Sequence, residues 1–528
     1  MRNRLVNWVC LLVFVFTGMN AVSADFELGS PFLDHMVLQR DRDIIVWGWG
    51  EAGQEVMVSL DKKTVKASIG KDGRWRVSLP AMKAGGPFEF KAVSGDSKFV
   101  YKDVLLGDVW LAFGQSNMAM GLRNKEEAAK LNDPVARNRI REFKVANSYF
   151  VEPQERLPIP SQWTTCEKGV GNWSGVAWGT IYRLYEKLEV PMAVIRVPHG
   201  GSAIYPWLPH DVVEESDKFR KYYECEETYK KGYLDNVAAG HVDPLAYDKY
   251  KKSLKDKARN KQSGAVQQLS SLLYNSKIHP VVPYQLRGLL YYQGESSRGA
   301  PEGYGELLKL MVKSYRKAWG NDELYMAVIQ LPSSGTKIDT MDPNKLCWAW
   351  IRNEQKAVLD LPNAGLVVTY DDDKTENQVS LHPPDKSLLC ERLANLLLHD
   401  VYGQKDIEVY GPAYKSHKID GSIITIEFSF SEGLTTDDGD DPKSFRIAGA
   451  DRQWHFATSA KIKGEKVIIS SDAVKEPVAV RYAWDDHPDV NLYNKAGLPA
   501  VSFRTDDWER IDDRKRLPWQ GAVFPGQL

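Results

Sequence analysis

The chain has 528 residues, 43% of them apolar, and its 69 Lys and Arg are matched by 70 Asp and Glu. That length exceeds one ordinary domain and supplies ample core material. Balanced charge without a basic arm argues against a partner that is a nucleic acid.

Residues 1–24 read as an export signal. Arg2 and Arg4 form a basic start, residues 9–16 an apolar stretch, and Ala21 to Ala24 offer small residues for cleavage. The apolar run is much shorter than the ~20 residues of a membrane-spanning helix. The mature chain is therefore expected to begin near Asp25, without a membrane span, and to reach the periplasm, the medium or a lysosome. Cys166, Cys225, Cys347 and Cys390 are widely scattered, with no zinc-type spacing, and are expected to be structural or free.

Residues 25–105 carry short alternating segments at 44–48, 56–60 and 75–79, separated by turn residues, which predicts a small β-sandwich. From residue 106 to 405 the texture changes. Apolar runs at 109–113, 192–197, 289–292, 326–330 and 366–370 alternate with helical stretches at 181–188, 306–319, 346–359 and 386–399. That alternation predicts an α/β domain with a doubly wound parallel sheet. Residues 210–275 interrupt it with charged, helix-prone sequence containing a lysine cluster from Lys251 to Lys261. Its charge pattern reads as a solvated helical insertion, with a lid as the alternative. Residues 406–528 return to strand texture at 423–428, 467–469 and 478–482, predicting a second β-sandwich.

The chemistry gathers at the predicted strand exits, where open α/β sheets bind ligands. Gly114-Gln115-Ser116-Asn117-Met118 directly follows the run at 109–113 and offers a serine nucleophile. A serine hydroxyl needs a base. His382, in the loop between the strand ending near residue 370 and the next helix, stands on the same rim and is the candidate. An oxyanion hole needs donors aimed at the developing charge. His199-Gly200-Gly201-Ser202 and Gln293-Gly294-Glu295-Ser296 follow two further strands and offer backbone N–H groups and the Gln293 amide.

These strings, with Leu381-His382-Pro383, resemble the blocks of SGNH/GDSL-type hydrolases and, more narrowly, the sialate O-acetylesterase family. Further likeness comes from residues 33–40, 46–48, 273–275 and 283–284, and from 480–484, 491–494, 497–500 and 503–506, so it spans nearly all of the mature chain. The resemblance implies Ser116 as nucleophile and His382 as general base and then acid. It implies an oxyanion hole from the N–H of Ser116, from Gly201 (with Gly200 as alternative) and from Gln293. Many relatives carry an aspartate two or three residues before the histidine, where this chain has Ser380 and Val379. Asp371, Asp372 and Asp373 are the candidates for orienting His382; a Ser–His dyad is the alternative. Trp207, Glu295 and Arg298 are candidate sugar contacts. The implied activity is hydrolysis of O-acetyl esters of sialic acids, without metal or organic cofactor. Deacetylation of a plant polysaccharide such as xylan or xyloglucan, or a non-catalytic carbohydrate-binding role, are the rival readings.

Overall fold

The computed structural model describes residues 25–121, 138–166, 172–214, 217–246, 266–299, 301–337, 342–345, 347–372 and 376–511. The expected export signal, Asp373 and the lysine cluster of the insertion lie outside them.

An eleven-stranded mixed sheet forms the frame. Seven of its strands make a central path: β1 (Ser97–Gly114), β2 (Ile140–Lys144), β3 (Trp163–Thr165), β4 (Met192–Arg196), β5 (Gly288–Tyr292), β6 (Tyr325–Ile329) and β7 (Ala364–Val367). Across the sheet they run β3-β2-β4-β1-β5-β6-β7. All neighbours are parallel except β3, which is antiparallel to β2. From β1 the chain winds to one side through β4, then crosses to the other for β5–β7. The reversal opens a crevice beyond the carboxyl ends of β4, β1 and β5.

Apolar runs make these strands because both faces are covered. Val109, Leu111 and Phe113 face one core, packed with Leu307, Leu308, Met311 and Tyr315 of the helix Tyr304–Trp319. Trp110 and Ala112 face the other, packed with Trp178 and Ile181 of Gly175–Leu188 and with Leu393 and Leu397 of Ser387–Asp400. Ser174 caps Gly175–Leu188 by accepting from the Ala177 N–H at 3.1 Å. β2 and β3 are not expected from hydropathy, because β2 reads Ile-Arg-Glu-Phe-Lys. Lys144 is exposed, but the other two charges are buried and paired: Glu142 meets Arg196 of β4 at 2.6 Å, and Arg141 donates to Asp103 and to the His35 carbonyl.

The boundary expected at residue 105 falls inside one uninterrupted strand. The first half of β1 pairs antiparallel with Gly85–Ser94, and its second half is the centre of the parallel sheet. A separate three-stranded sheet, Glu27–Leu28, Ile44–Trp49 and Arg74–Leu79, completes the N-terminal part. At the other end two four-stranded antiparallel sheets enclose Ile424, Ile426, Phe428, Ile447, Val480 and Phe503. Arg352, fully buried, ties them to the centre by donating to the carbonyls of Leu331, Pro332, Asp485 and Asp486. The fold is thus mixed α/β, with a mixed sheet and additional antiparallel sheets. No described helix is long and apolar enough to cross a membrane.

Within β1, where its parallel half begins, Asp108 is fully buried and joins three parts of the chain. It accepts from Arg40 and Gln39, from Arg287 ahead of β5, and from Tyr402 beyond Ser387–Asp400. Burial alone would raise its carboxyl pKa, but Arg287 and Arg40 outweigh that and hold it below the ordinary value. A depressed carboxyl contributes stability above the unfolded pKa of about 4 and loses it as pH falls through the folded value. Asp108→Asn is therefore expected to cost about 2–4 kcal/mol at pH 7, the loss of one partner of a largely buried ion cluster. Urea denaturation of both proteins should show the difference shrinking as the pH is lowered toward 3; a constant difference would assign it to packing alone.

Candidate active site

β1 ends on Gly114, whose φ of +124° and contact with Tyr292 admit no side chain. A Cβ there would sit 2.2 Å from the Tyr292 carbonyl oxygen. The close approach lets Gln115 N–H donate to that carbonyl at 2.9 Å and turns the chain into the short helix α1 (Ser116–Ala119). Ser116 stands at its first position, partly exposed over the crevice. Its Oγ lies 2.7 Å from His382 Nε2. Two residues separated by most of the sheet domain thus meet within hydrogen-bond reach.

His382 belongs to the loop that leaves β7 and must cross back over β6 and β5 to reach β1. A buried polar cluster fastens it there. Asn117 Nδ2 donates to the Leu381 carbonyl at 3.1 Å and to Glu295 Oε1 at 2.5 Å, while Lys386 Nζ donates to Asn117 Oδ1 at 2.9 Å. The His382 N–H also donates to Ser380 Oγ at 3.1 Å. Burial pushes the Glu295 carboxyl up, against the Asn117 hydrogen bond and the nearby Lys386 ammonium. Asn117 therefore holds the serine turn and the histidine loop together, and Glu295 orients the Asn117 amide from inside. Expected as a sugar contact, Glu295 is buried instead.

The glycine turn after β4 faces the serine from the other side of β1. A Cβ on Gly200 would stand 3.8 Å from Ser116 Cβ, and Gly201 has a φ of +71°. The rest of the turn is tied down. Ser202 Oγ donates to the His199 carbonyl, the Gly201 carbonyl accepts from Gln268, Ala203 N–H donates to Gln268 Oε1, and Ile204 N–H donates to Ser297 Oγ.

Three expectations need correction. The Gln293 amide does not reach the crevice: it is fully buried, and its Nε2 donates to Gln115 Oε1, the Ser202 carbonyl and Ser297 Oγ at 3.1–3.2 Å. Its Oε1 accepts from Tyr291 and Tyr304. With both ends of the amide engaged, Gln293 bolts the serine turn to the glycine turn. Trp207 is also fully buried, edge-on to Phe113 at 5.8 Å, with Nε1 donating to Ser202 Oγ; it is a core anchor. Asp371 is held in a two-pronged ion pair by Arg392 at 2.6 and 2.7 Å and accepts from Tyr493, so it does not orient His382. Asp372 is half-buried near Tyr292, and Asp373 lies outside the described residues. Arg298 is exposed at the rim, 5.8 Å over the Trp348 ring. Asn117 and Lys386, which no expectation singled out, were signalled only by Asn117 standing inside the glycine-glutamine-serine string.

Two variants probe this geometry. Asn117→Ala frees the histidine loop and is expected to lower kcat on an acetyl ester by about a hundredfold, the scale of an ångström-sized misplacement. Trp207→Phe loses one hydrogen bond and should cost about 1 kcal/mol in thermal unfolding with KM unchanged. A raised KM would show that the ring meets substrate.

Residues 261–399 match the family described as carbohydrate esterase, sialic acid-specific acetylesterase. The sialate O-acetylesterases of Mus musculus and Homo sapiens are each 26% identical to the chain. The mouse alignment spans 93% of this chain and 96% of the relative, and the human one 94% and 96%. A carbohydrate acetylesterase from Xanthomonas citri, solved by crystallography, is 31% identical, with a TM-score of 0.75 over 92% of this chain and all of the other. That crystal structure matches the chain from the N-terminal sheets to the C-terminal ones, and the family match brackets the histidine loop. The chain belongs to the sialate O-acetylesterase family of carbohydrate esterases.

Proposed function

We propose that the chain is a serine carbohydrate O-acetylesterase of SGNH type, with flanking β-sandwiches, acting on O-acetylated sialic acids. The observation that carries this reading is the 2.7 Å approach of Ser116 Oγ to His382 Nε2 at the switch point of the sheet. Ser116 passes its proton to His382 as it attacks the acetyl carbonyl. The oxyanion forms against the N–H of Ser116 and of Gly201 or its neighbour Gly200. Collapse breaks the ester bond, and His382 returns the proton to the departing sugar oxygen. Water, deprotonated by His382, then releases acetate and restores the serine.

Removing Asp371 and Gln293 from the reacting set sharpens the reading. Asp372 and Asp373 remain as carboxylates for the imidazole, and the oxyanion is stabilised by backbone donors alone. Such donors need no reorganisation when the charge develops, because the turns that hold them are already locked. Exposed Arg298, in the loop after β5, is the cation proposed to meet a sugar carboxylate, which would favour an acidic sugar over a neutral chain. Residues 1–24 fit export of the enzyme to such substrates.

Ser116→Ala and His382→Ala are each expected to lower turnover of a chromogenic acetyl ester by at least about a thousandfold. Equal turnover by Ser116→Ala and the unaltered protein would remove Ser116 from the mechanism. Acetate release measured side by side from O-acetylated sialic acids and acetylated xylan settles the substrate: faster release from xylan would replace the sialic acid assignment and leave the mechanism standing. Arg298→Ala should raise KM about tenfold for the acetylated sialic acid and leave that for the chromogenic ester unchanged.

A further inference from the structure

The helical part of the insertion connects to the glycine turn through intermediaries. Its helix, α2 in chain order among the helices near the site (Asp217–Ala238), carries exposed charge at Glu227, Lys231 and Asp235, yet among the described residues a stripe faces inward. Glu226, Lys230, Tyr233 and Val237 recur at the three- and four-residue spacing of a single helix face. Tyr233 is buried, and its hydroxyl donates to the Tyr149 carbonyl at 2.6 Å. The Tyr149 ring in turn stands edge-on to His199, the first residue of the glycine turn, at 5.4 Å. Seven residues earlier on the same face, the Glu226 carboxylate accepts from both the N–H and the hydroxyl of Ser270 at 2.6 Å.

Ser270 lies just beyond Gln268, and Gln268 is the contact that matters. Its side-chain amide spans the turn as a strand edge would. Oε1 accepts the Ala203 N–H at 2.7 Å, and Nε2 donates to the Gly201 carbonyl at 2.5 Å. The Gly201 carbonyl belongs to the residue whose φ of +71° sets the turn. Gln293 holds the next carbonyl, of Ser202, from the opposite side. The turn is gripped between two glutamines, one from the core and one from the insertion.

The geometry points to Gln268 as a positioning residue for the oxyanion-forming glycine turn, and to the insertion helix as the brace that holds Gln268 through Glu226 and Ser270. The inference rests on the serine-esterase reading above. An unheld glycine turn samples many conformations, and donors that wander from the oxyanion position lose their effect on the transition state. The helix Asp217–Ala238 and Gln268 are thus part of the scaffold of the site.

The test is kcat and KM on 4-nitrophenyl acetate, a substrate too small to need the insertion for binding, with thermal unfolding measured alongside. Gln268→Leu is expected to lower kcat by about ten- to a hundredfold with KM within about twofold, the signature of a lost transition-state interaction. Gln268→Glu keeps the bond to Ala203 but sets a carboxylate oxygen against the Gly201 carbonyl, and should fall by a similar factor. Glu226→Ala should lower kcat several-fold, and Glu226→Gln, which still accepts from the Ser270 N–H, should recover most of it. Unchanged kcat in Gln268→Leu, a rise in KM alone, or global unfolding of both Gln268 variants would overturn the inference. Ser116→Ala run in parallel separates the two ideas. If it keeps turnover, the serine reading fails; if it is inactive while Gln268→Leu is fully active, only the brace fails.

Discussion

Everything at the crevice depends on how closely the backbone of Gly114 approaches that of Tyr292. A side chain at residue 114 would collide with the Tyr292 carbonyl, and only its absence lets Gln115 N–H reach that oxygen. This contact sets where β1 stops and where α1 begins, and so where Ser116 stands. It also brings the loop after β5 beside the serine turn, so Gln293 and Glu295 fall within reach of Gln115 and Asn117. A backbone contact is a good foundation for a group that must be held in one place, since it carries no rotamer freedom of its own.

Around that point the site is built in two layers. Among the described residues, the Ser116 hydroxyl and the His382 imidazole meet at the crevice. Behind them lies a densely hydrogen-bonded polar interior of Gln115, Gln293, Ser202, Ser297, Asn117, Glu295 and Lys386. In a low-dielectric setting each of these groups is costly to leave unpaired. The interior therefore has few alternative arrangements, and its rigidity passes to the surface layer. The His382 loop shows the effect best. It is long and half exposed, yet it ends within 2.7 Å of the serine because Asn117 and Lys386 anchor it on either side of the histidine.

Much of this is legible in the amino-acid sequence. Apolar runs bounded by glycine-bearing polar strings located β1, β4 and β5 and put three loops on one edge of one sheet. What stayed hidden has physical causes. β2 carries three charged residues in five, and only the partners Arg196 and Asp103 make it a buried strand. Gln293 and Trp207 sit in the right loops, but residue type does not say whether an amide or an indole turns outward or inward; here the unmet hydrogen bonds of the interior drew both in. The brace helix was hidden by its own composition, since its buried face is lined by a carboxylate, an ammonium stem, a tyrosine and a valine. A hydrophobic pattern is a poor guide to a face that docks through hydrogen bonds.

The long strand β1 has a consequence for how the chain assembles on the ribosome. Its first half finds the hairpin partner Gly85–Ser94 as soon as it emerges. Its second half, largely apolar, must wait for β4 and then for β5, which follows only at residue 288. Through that interval two bare edges of an apolar strand are presented to whatever else is nearby, the situation in which nascent chains stick to one another. The N-terminal sheets, folded early and covalently continuous with β1, act over that period as a tether that keeps the strand extended and in register until its neighbours arrive.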